Sequence, residues 1–167
     1  MSRFGKIFEK KNLKSYTGID ISKECITQAK RWLGKIRNSK NFKLIVEDRR
    51  RSRYGDGLQN WGKYDAINSF FCFHFASTSD EIAKRAIQNV YDNLVLAGKF
   101  IAIVPDRVKI IEAAKSGVKS KLFRIENYDG RNHYDFSFAD GSIDKMPEYL
   151  FNGHLFMKEC SKIGLQY

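Results

Sequence analysis

Between Tyr64 and Ser77 the chain reads Tyr-Asp-Ala-Ile-Asn-Ser-Phe-Phe-Cys-Phe-His-Phe-Ala-Ser. Ala66 and Ile67 form a short apolar run, entered through the polar Lys63–Asp65 and left through Asn68–Ser69. A run of that length with polar ends predicts a buried central strand of a parallel sheet. Directly after it come Phe71, Phe73, His74 and Phe75, a density of aromatics that an ordinary surface loop does not carry. Ligands of open α/β sheets bind just beyond the carboxyl ends of the strands. The segment is therefore expected to floor a crevice for a flat heterocycle. Taken singly, His74 also reads as a structural histidine, and Phe71 and Phe73 as core.

The segments on either side fit a sheet of that kind. Phe4, Ile7 and Phe8 have helical spacing and predict a helix tail within Ser2–Asn12. Tyr16–Ser22 reads as a strand, with Ser22 placed to cap an amphipathic helix over Lys23–Arg37. Phe42–Val46 is a second strand, ending at Glu47 and Asp48. Arg49 to Gly62 is polar and arginine-rich, either a solvated loop or an RNA contact. Ser79 and Asp80 open a helix that runs through Leu94 and closes at Ala97-Gly98, and Lys99–Val104 follows as a strand stopped by Pro105-Asp106. A short helix is predicted over Val108–Ala114. Lys119–Ile125 and Tyr134–Phe138 then alternate like an antiparallel hairpin, joined by Asn127, Asp129-Gly130 and Asn132. Lys145–Tyr149 is read as the lead into a last amphipathic helix bearing Leu150, Leu155 and Phe156. The order of elements predicts a three-layer α/β domain, mostly parallel, with an antiparallel C-terminal hairpin.

Bulk properties narrow the partner. A chain of 167 residues is one domain by length, and 43% apolar residues exclude global disorder. Thirty Lys and Arg against 19 Asp and Glu give a net charge of +11, which favours a polyanion such as RNA. Cys25, Cys72 and Cys160 have no C-x-x-C spacing, so reduced thiols of an intracellular protein are expected, without disulfides or a metal site.

Three polar positions close three successive predicted strands. Asp20 ends the first, where an acid commonly accepts bonds from ribose hydroxyls. Asp48 ends the second, where a carboxylate could meet an adenine amino group, and Asn68 to Phe70 ends the third. Each acid alone also reads as a solvated loop carboxylate. In this order they suggest an adenosine ligand.

At these residues the chain resembles a known family. Tyr16-Thr-Gly-Ile-Asp-Ile-Ser with Ala29-Lys-Arg-Trp is similar to a block of the eukaryotic and viral mRNA cap guanine-N7 methyltransferases. Tyr64–Phe75 resembles the family pattern F-D-x-V-S-x-Q-F-x-x-H-Y, and Gly98–Asp106 resembles G-G-x-F-I-x-T-x-P-D. Tyr134-Asp-Phe-Ser-Phe and Pro147-Glu-Tyr-Leu are similar to Y-x-F-x-L and P-E-Y-L. The resemblance implies a Rossmann-like class I methyltransferase fold that uses S-adenosylmethionine to methylate N7 of the GpppN cap of mRNA. It would make Asp20 the ribose ligand and Asp48 the adenine ligand, with Phe70 beside the donor. Phe71, His74, Phe75, Pro105 and Glu148 would form the guanine pocket. No catalytic acid, base or nucleophile is implied, because N7 carries no proton to remove. Action in the nucleus is expected, or in the cytoplasm for a viral chain.

Phe75 and Phe70 stand where the family has Tyr and Gln. The family's glycine-rich D-x-G-C-G-K-G-G-D block is not found ahead of Asp20. The chain is accordingly expected to be a partial domain, 1–167, without the first strand. Altered strand pairing or a homo-oligomer is expected to cover the gap. A non-catalytic cap- or RNA-binding module is the alternative reading, and a small-molecule methyltransferase a third.

Overall fold

A computed structural model describes residues 13–34, 41–46, 63–117 and 120–166. The predicted helix tail at Ser2–Asn12, Asp48 and the arginine-rich segment from Arg49 to Gly62 lie outside the described residues. The chain divides into two compact units, Met1–Arg53 and Tyr54–Tyr167.

In the first unit, β1 (Tyr16–Asp20) and β2 (Phe42–Val46) pair in parallel, with Asp20 opposite Val46. Between them runs α1 (Lys23–Leu33), which buries Ile26 and Leu33 as its amphipathic spacing requires. The Ser22 side chain accepts from the Cys25 amide at 3.1 Å, satisfying one of the open amides of the first turn.

The second unit starts with β3 (Tyr64–Phe70), parallel to β4 (Leu94–Ile103). β3 is longer and less buried than predicted: Ala66, Asn68 and Phe70 are exposed, while Ile67 and Ser69 are half-buried. Among the described residues β3 pairs with β4 alone. A 3₁₀ helix over Phe73–Thr78 leads into α2 (Asp80–Asn93), capped by the Ser79 hydroxyl. The expected helix end at Ala97-Gly98 is displaced. α2 stops at Asn93, and the extended Leu94-Val-Leu run already belongs to β4. The register jumps from Tyr64↔Leu94 to Ala66↔Lys99, so the residues between bulge out, with Ala97 at φ 61°. Gly98 works here as a close-approach residue rather than a helix terminator. A Cβ on it would lie 2.9 Å from the Val95 carbonyl oxygen and 3.2 Å from that of Tyr64.

The unit's core is organised by Phe73, whose ring meets Phe100 at 5.1 Å, Phe156 at 5.6 Å and Phe151 at 6.3 Å between centroids. Around it lie Ala86, Ile87, Val90 and Leu94. Phe73 is thus core, as its alternative reading had it, while Phe71 is 61% exposed.

After Pro105, Asp106 caps α3 (Arg107–Ser116) by accepting from the Val108 amide at 2.9 Å and the Lys109 amide at 3.2 Å. β5 (Phe123–Glu126) and β6 (His133–Phe138) form the predicted antiparallel hairpin. Its turn is built on Asp129, whose Oδ1 accepts from the amides of Arg131, Asn132 and His133. These bonds hold the Asp129 carboxyl below its ordinary range. The hairpin acquires a third strand, which corrects the reading of Lys145–Tyr149. Met146–Tyr149 is β7, antiparallel to β6, and α4 begins only at Gly153 and runs to Lys162. β7 is an outer strand of this sheet, where a proline such as Pro147 is tolerated. Asn152 caps α4 through the Leu155 amide at 3.1 Å, so Glu148 is a strand residue and not a helix cap.

Candidate functional site

His74 and Glu148, separated by 74 positions in sequence, meet through a hydrogen bond between His74 Nε2 and a carboxylate oxygen of Glu148. Each is delivered by a different element. Phe73, set into the core, fixes the start of the 3₁₀ helix and turns His74 inward to 1% exposure. The far end of that helix is held by the Asn132 side-chain amide, which donates to the Ser77 carbonyl. Glu148 comes from β7 at 6% exposure, opposite Tyr134 on β6.

Burial makes the pair consequential. Nε2 donates to the carboxylate and so carries the hydrogen, leaving Nδ1 as an acceptor in the neutral ring. Nδ1 is buried and has no hydrogen-bond partner among the described residues. An orphaned buried polar atom costs about 1–3 kcal/mol, and such atoms mark places where a ligand or water completes the set. The Glu148 carboxylate has four lone-pair positions and His74 occupies one, so acceptor capacity remains. Burial, reinforced by the charge of Glu148, pushes the Tyr134 hydroxyl far above its ordinary range, so it stays a neutral phenol.

Phe75 lies over His74, with ring centroids 4.4 Å apart and an interplanar angle of 32°. Phe75 also meets Tyr149 in a T-shaped arrangement at 6.4 Å between centroids, and Tyr149 in turn meets His133 at 5.6 Å. The predicted residues His74, Phe75 and Glu148 therefore form one cluster. Tyr134, Tyr149 and His133 belong to it too and were not foreseen. The β6–β7 register, which sets Tyr134 opposite Glu148 and His133 opposite Tyr149, would have revealed them.

Phe71 and Pro105 stand at the carboxyl edge of the β3–β4 pair. The Phe71 amide donates to the Ile103 carbonyl at 2.8 Å, two residues before Pro105. No aromatic-ring contact among the described residues joins Phe71 to His74. Phe71 holds a left-handed backbone at φ 51°, unusual for a bulky side chain and typical of residues whose position serves a site. Phe70 ends β3 opposite Ile103. In the first unit Asp20 closes β1, half-buried, and its Oδ1 accepts from the Ser22 amide at 2.8 Å. That bond orients the carboxylate and leaves it acceptor capacity for a diol. Chemically the cluster can hold a planar, hydrogen-bonding heterocycle by stacking and by a buried acceptor. It presents no nucleophile with an adjacent base.

Comparison with known proteins bears on the family and the fold. A family model described as the mRNA (guanine-N(7))-methyltransferase domain matches residues 5–167. The mRNA cap guanine-N(7) methyltransferase of Eremothecium gossypii is 26% identical over 180 residues, which cover 92% of this chain and 42% of that protein. The protein of the same name from Saccharomyces cerevisiae is 25% identical over 179 residues, covering 92% and 41%. The chain thus spans about two fifths of the length of these curated relatives. Among solved structures, an S-adenosylmethionine-dependent methyltransferase from Clostridium acetobutylicum superposes with a TM-score of 0.59 at 16% identity, covering 90% of this chain and 63% of that one. At that identity the likeness concerns the fold, and it bears out the α/β, Rossmann-like expectation.

Proposed function

The chain belongs to the mRNA (guanine-N(7))-methyltransferase domain family, and from that premise we propose that it carries the guanine-binding side of a cap N7-methyltransferase. The buried, hydrogen-bonded His74–Glu148 pair, with the Phe75 ring against His74, is the observation that carries the reading. Guanine offers hydrogens on N1 and N2 along one edge, and a buried carboxylate is the acceptor that suits them. His74 orients that carboxylate, Phe75 supplies a stacking face, and Phe71 and Pro105 extend the apolar wall from the β3–β4 edge. S-adenosylmethionine, when bound, supplies an electrophilic methyl group. Asp20 would hold its ribose, Asp48 its adenine, and Phe70 would border the donor.

Guanine N7 is an unprotonated lone pair, so its methylation needs no base from the protein. The residues act by holding the purine in line and excluding water, where alignment contributes most of the rate. The net charge of +11 fits an RNA carrying the cap, and we place the activity with capping in the nucleus. The test is transfer of labelled methyl to GpppG-capped RNA, followed by nuclease digestion and identification of the product base. The expected product is N7-methylguanine, with the rate at least about tenfold lower in Glu148→Ala. Cap binding without any methylated product would instead make the chain a non-catalytic cap-binding module.

A further inference from the structure

We infer that the His74–Glu148 cluster is matched to positive charge on the purine and holds cationic, N7-methylated guanine more tightly than guanine itself, a property that rests on the guanine reading above and extends it from recognition to charge.

The charges at the cluster are one-sided. His74 donates from Nε2 as a neutral ring, so its bond orients the Glu148 carboxylate without neutralising it. No Lys or Arg forms an ion pair with Glu148 among the described residues, whereas Arg85, Arg124 and Lys162 each meet an acid. Tyr134, opposite Glu148 on β6, stays a neutral phenol. A buried carboxylate with no cation beside it is costly to the fold. The orphaned Nδ1 of His74 is a second acceptor at the same place. In a chain of net charge +11, a buried negative site also runs against the charge that an RNA calls for. Donors that carry positive charge complete such a site best.

The aromatic side of the cluster agrees. Phe75 lies against His74 and meets the Tyr149 ring, and the faces of such rings attract cations.

Methylation produces the matching charge. The new N7–CH₃ bond uses the N7 lone pair, and the purine takes up the positive charge while the electrons of the broken S–CH₃ bond stay on sulfur. The N1 and N2 hydrogens of the cationic ring are stronger donors than those of guanine, and a charged donor strengthens its bond to a carboxylate. This gain grows as the charge develops. It is therefore larger in the transition state than in bound guanine, which is the condition for raising kcat rather than lowering KM.

The experiment is calorimetric titration of the full chain, without a methyl donor, with three caps. These are GpppA, its N7-methylated form, and the 7-methyl-7-deazaguanine analogue, which keeps the methyl group and the N1 and N2 hydrogens but carries no charge. Wild type is expected to bind the N7-methylated cap about tenfold more tightly than GpppA or the neutral analogue. Glu148→Gln keeps the shape of the side chain and removes its charge, so the methylated cap and the neutral analogue should bind that variant alike. Phe75→Leu should reduce the preference by about threefold. Thermal melts check that both variants fold. In methyl-transfer assays Glu148→Gln should lower kcat more than it raises KM. Equal binding of the methylated cap and its neutral analogue by wild type, or a preference unchanged in Glu148→Gln, overturns the match to positive charge. The guanine reading survives that result if GpppA still binds more tightly than ApppA; if it does not, the guanine reading falls as well.

Discussion

A histidine and a glutamate buried against each other are a liability to the fold unless both remain. Removing His74 leaves the Glu148 carboxylate, 6% exposed, without its buried partner, and an uncompensated buried charge costs up to about 3–5 kcal/mol. His74→Ala should therefore destabilise the protein strongly in urea unfolding. Adding Glu148→Gln to it should recover part of the loss, because the stranded charge is gone. Additive effects of the two substitutions would show that the pair is not coupled. Tyr134, beneath the same carboxylate, makes the fold sensitive to alkali. Its folded pKa is raised above the unfolded value of 10.0, so its contribution is present below pH 10. Above that the unfolded state releases the proton first, and stability should fall by about 1 kcal/mol per pH unit. Tyr134→Phe should flatten this part of the pH–stability curve, and an unchanged slope would assign it to other groups. His74, Phe75 and Glu148 were legible as residues because strand-end position and family pattern both pointed at them. Their pairing was not legible, since contact across 74 positions is a property of tertiary packing.

At the scale of elements, sequence periodicity located most helices and strands and failed where local chemistry was ambiguous. Ala97-Gly98 looks like a helix terminus, yet the helix already ends at Asn93 and the pair lies in a bulge of β4, where the Tyr64–Leu94 and Ala66–Lys99 pairings set the backbone. Ala97→Gly should relieve the left-handed backbone and stabilise by about 1 kcal/mol. Gly98→Ala should destabilise by about 1–3 kcal/mol, because the new methyl meets backbone oxygens that cannot swing away. Thermal melts of the two variants should move in opposite directions, and equal shifts would refute the bulge. β7 escaped notice because four residues containing a proline carry little strand signal of their own. Its place is set by β6, whose Tyr134 and His133 find partners there.

For the whole molecule, the order of elements pointed to an α/β domain and the resemblance of the sequence blocks to a methyltransferase fold, and the family match over residues 5–167 runs across both compact units. Net charge pointed to a polyanion without saying where it binds. What composition could not supply was the acceptor pattern that distinguishes one purine from another. That pattern is the central claim, and discrimination between GpppG and ApppA tests it most directly. Adenine presents no N1 hydrogen and no N2 amino group, so it lacks the adjacent pair of donors that suits the Glu148 carboxylate. Calorimetric titration of the full chain should show GpppG bound at least about tenfold more tightly than ApppA, with the difference abolished in Glu148→Ala. Equal affinity for the two dinucleotides, or a preference that survives Glu148→Ala, would contradict the assignment of this cluster to guanine.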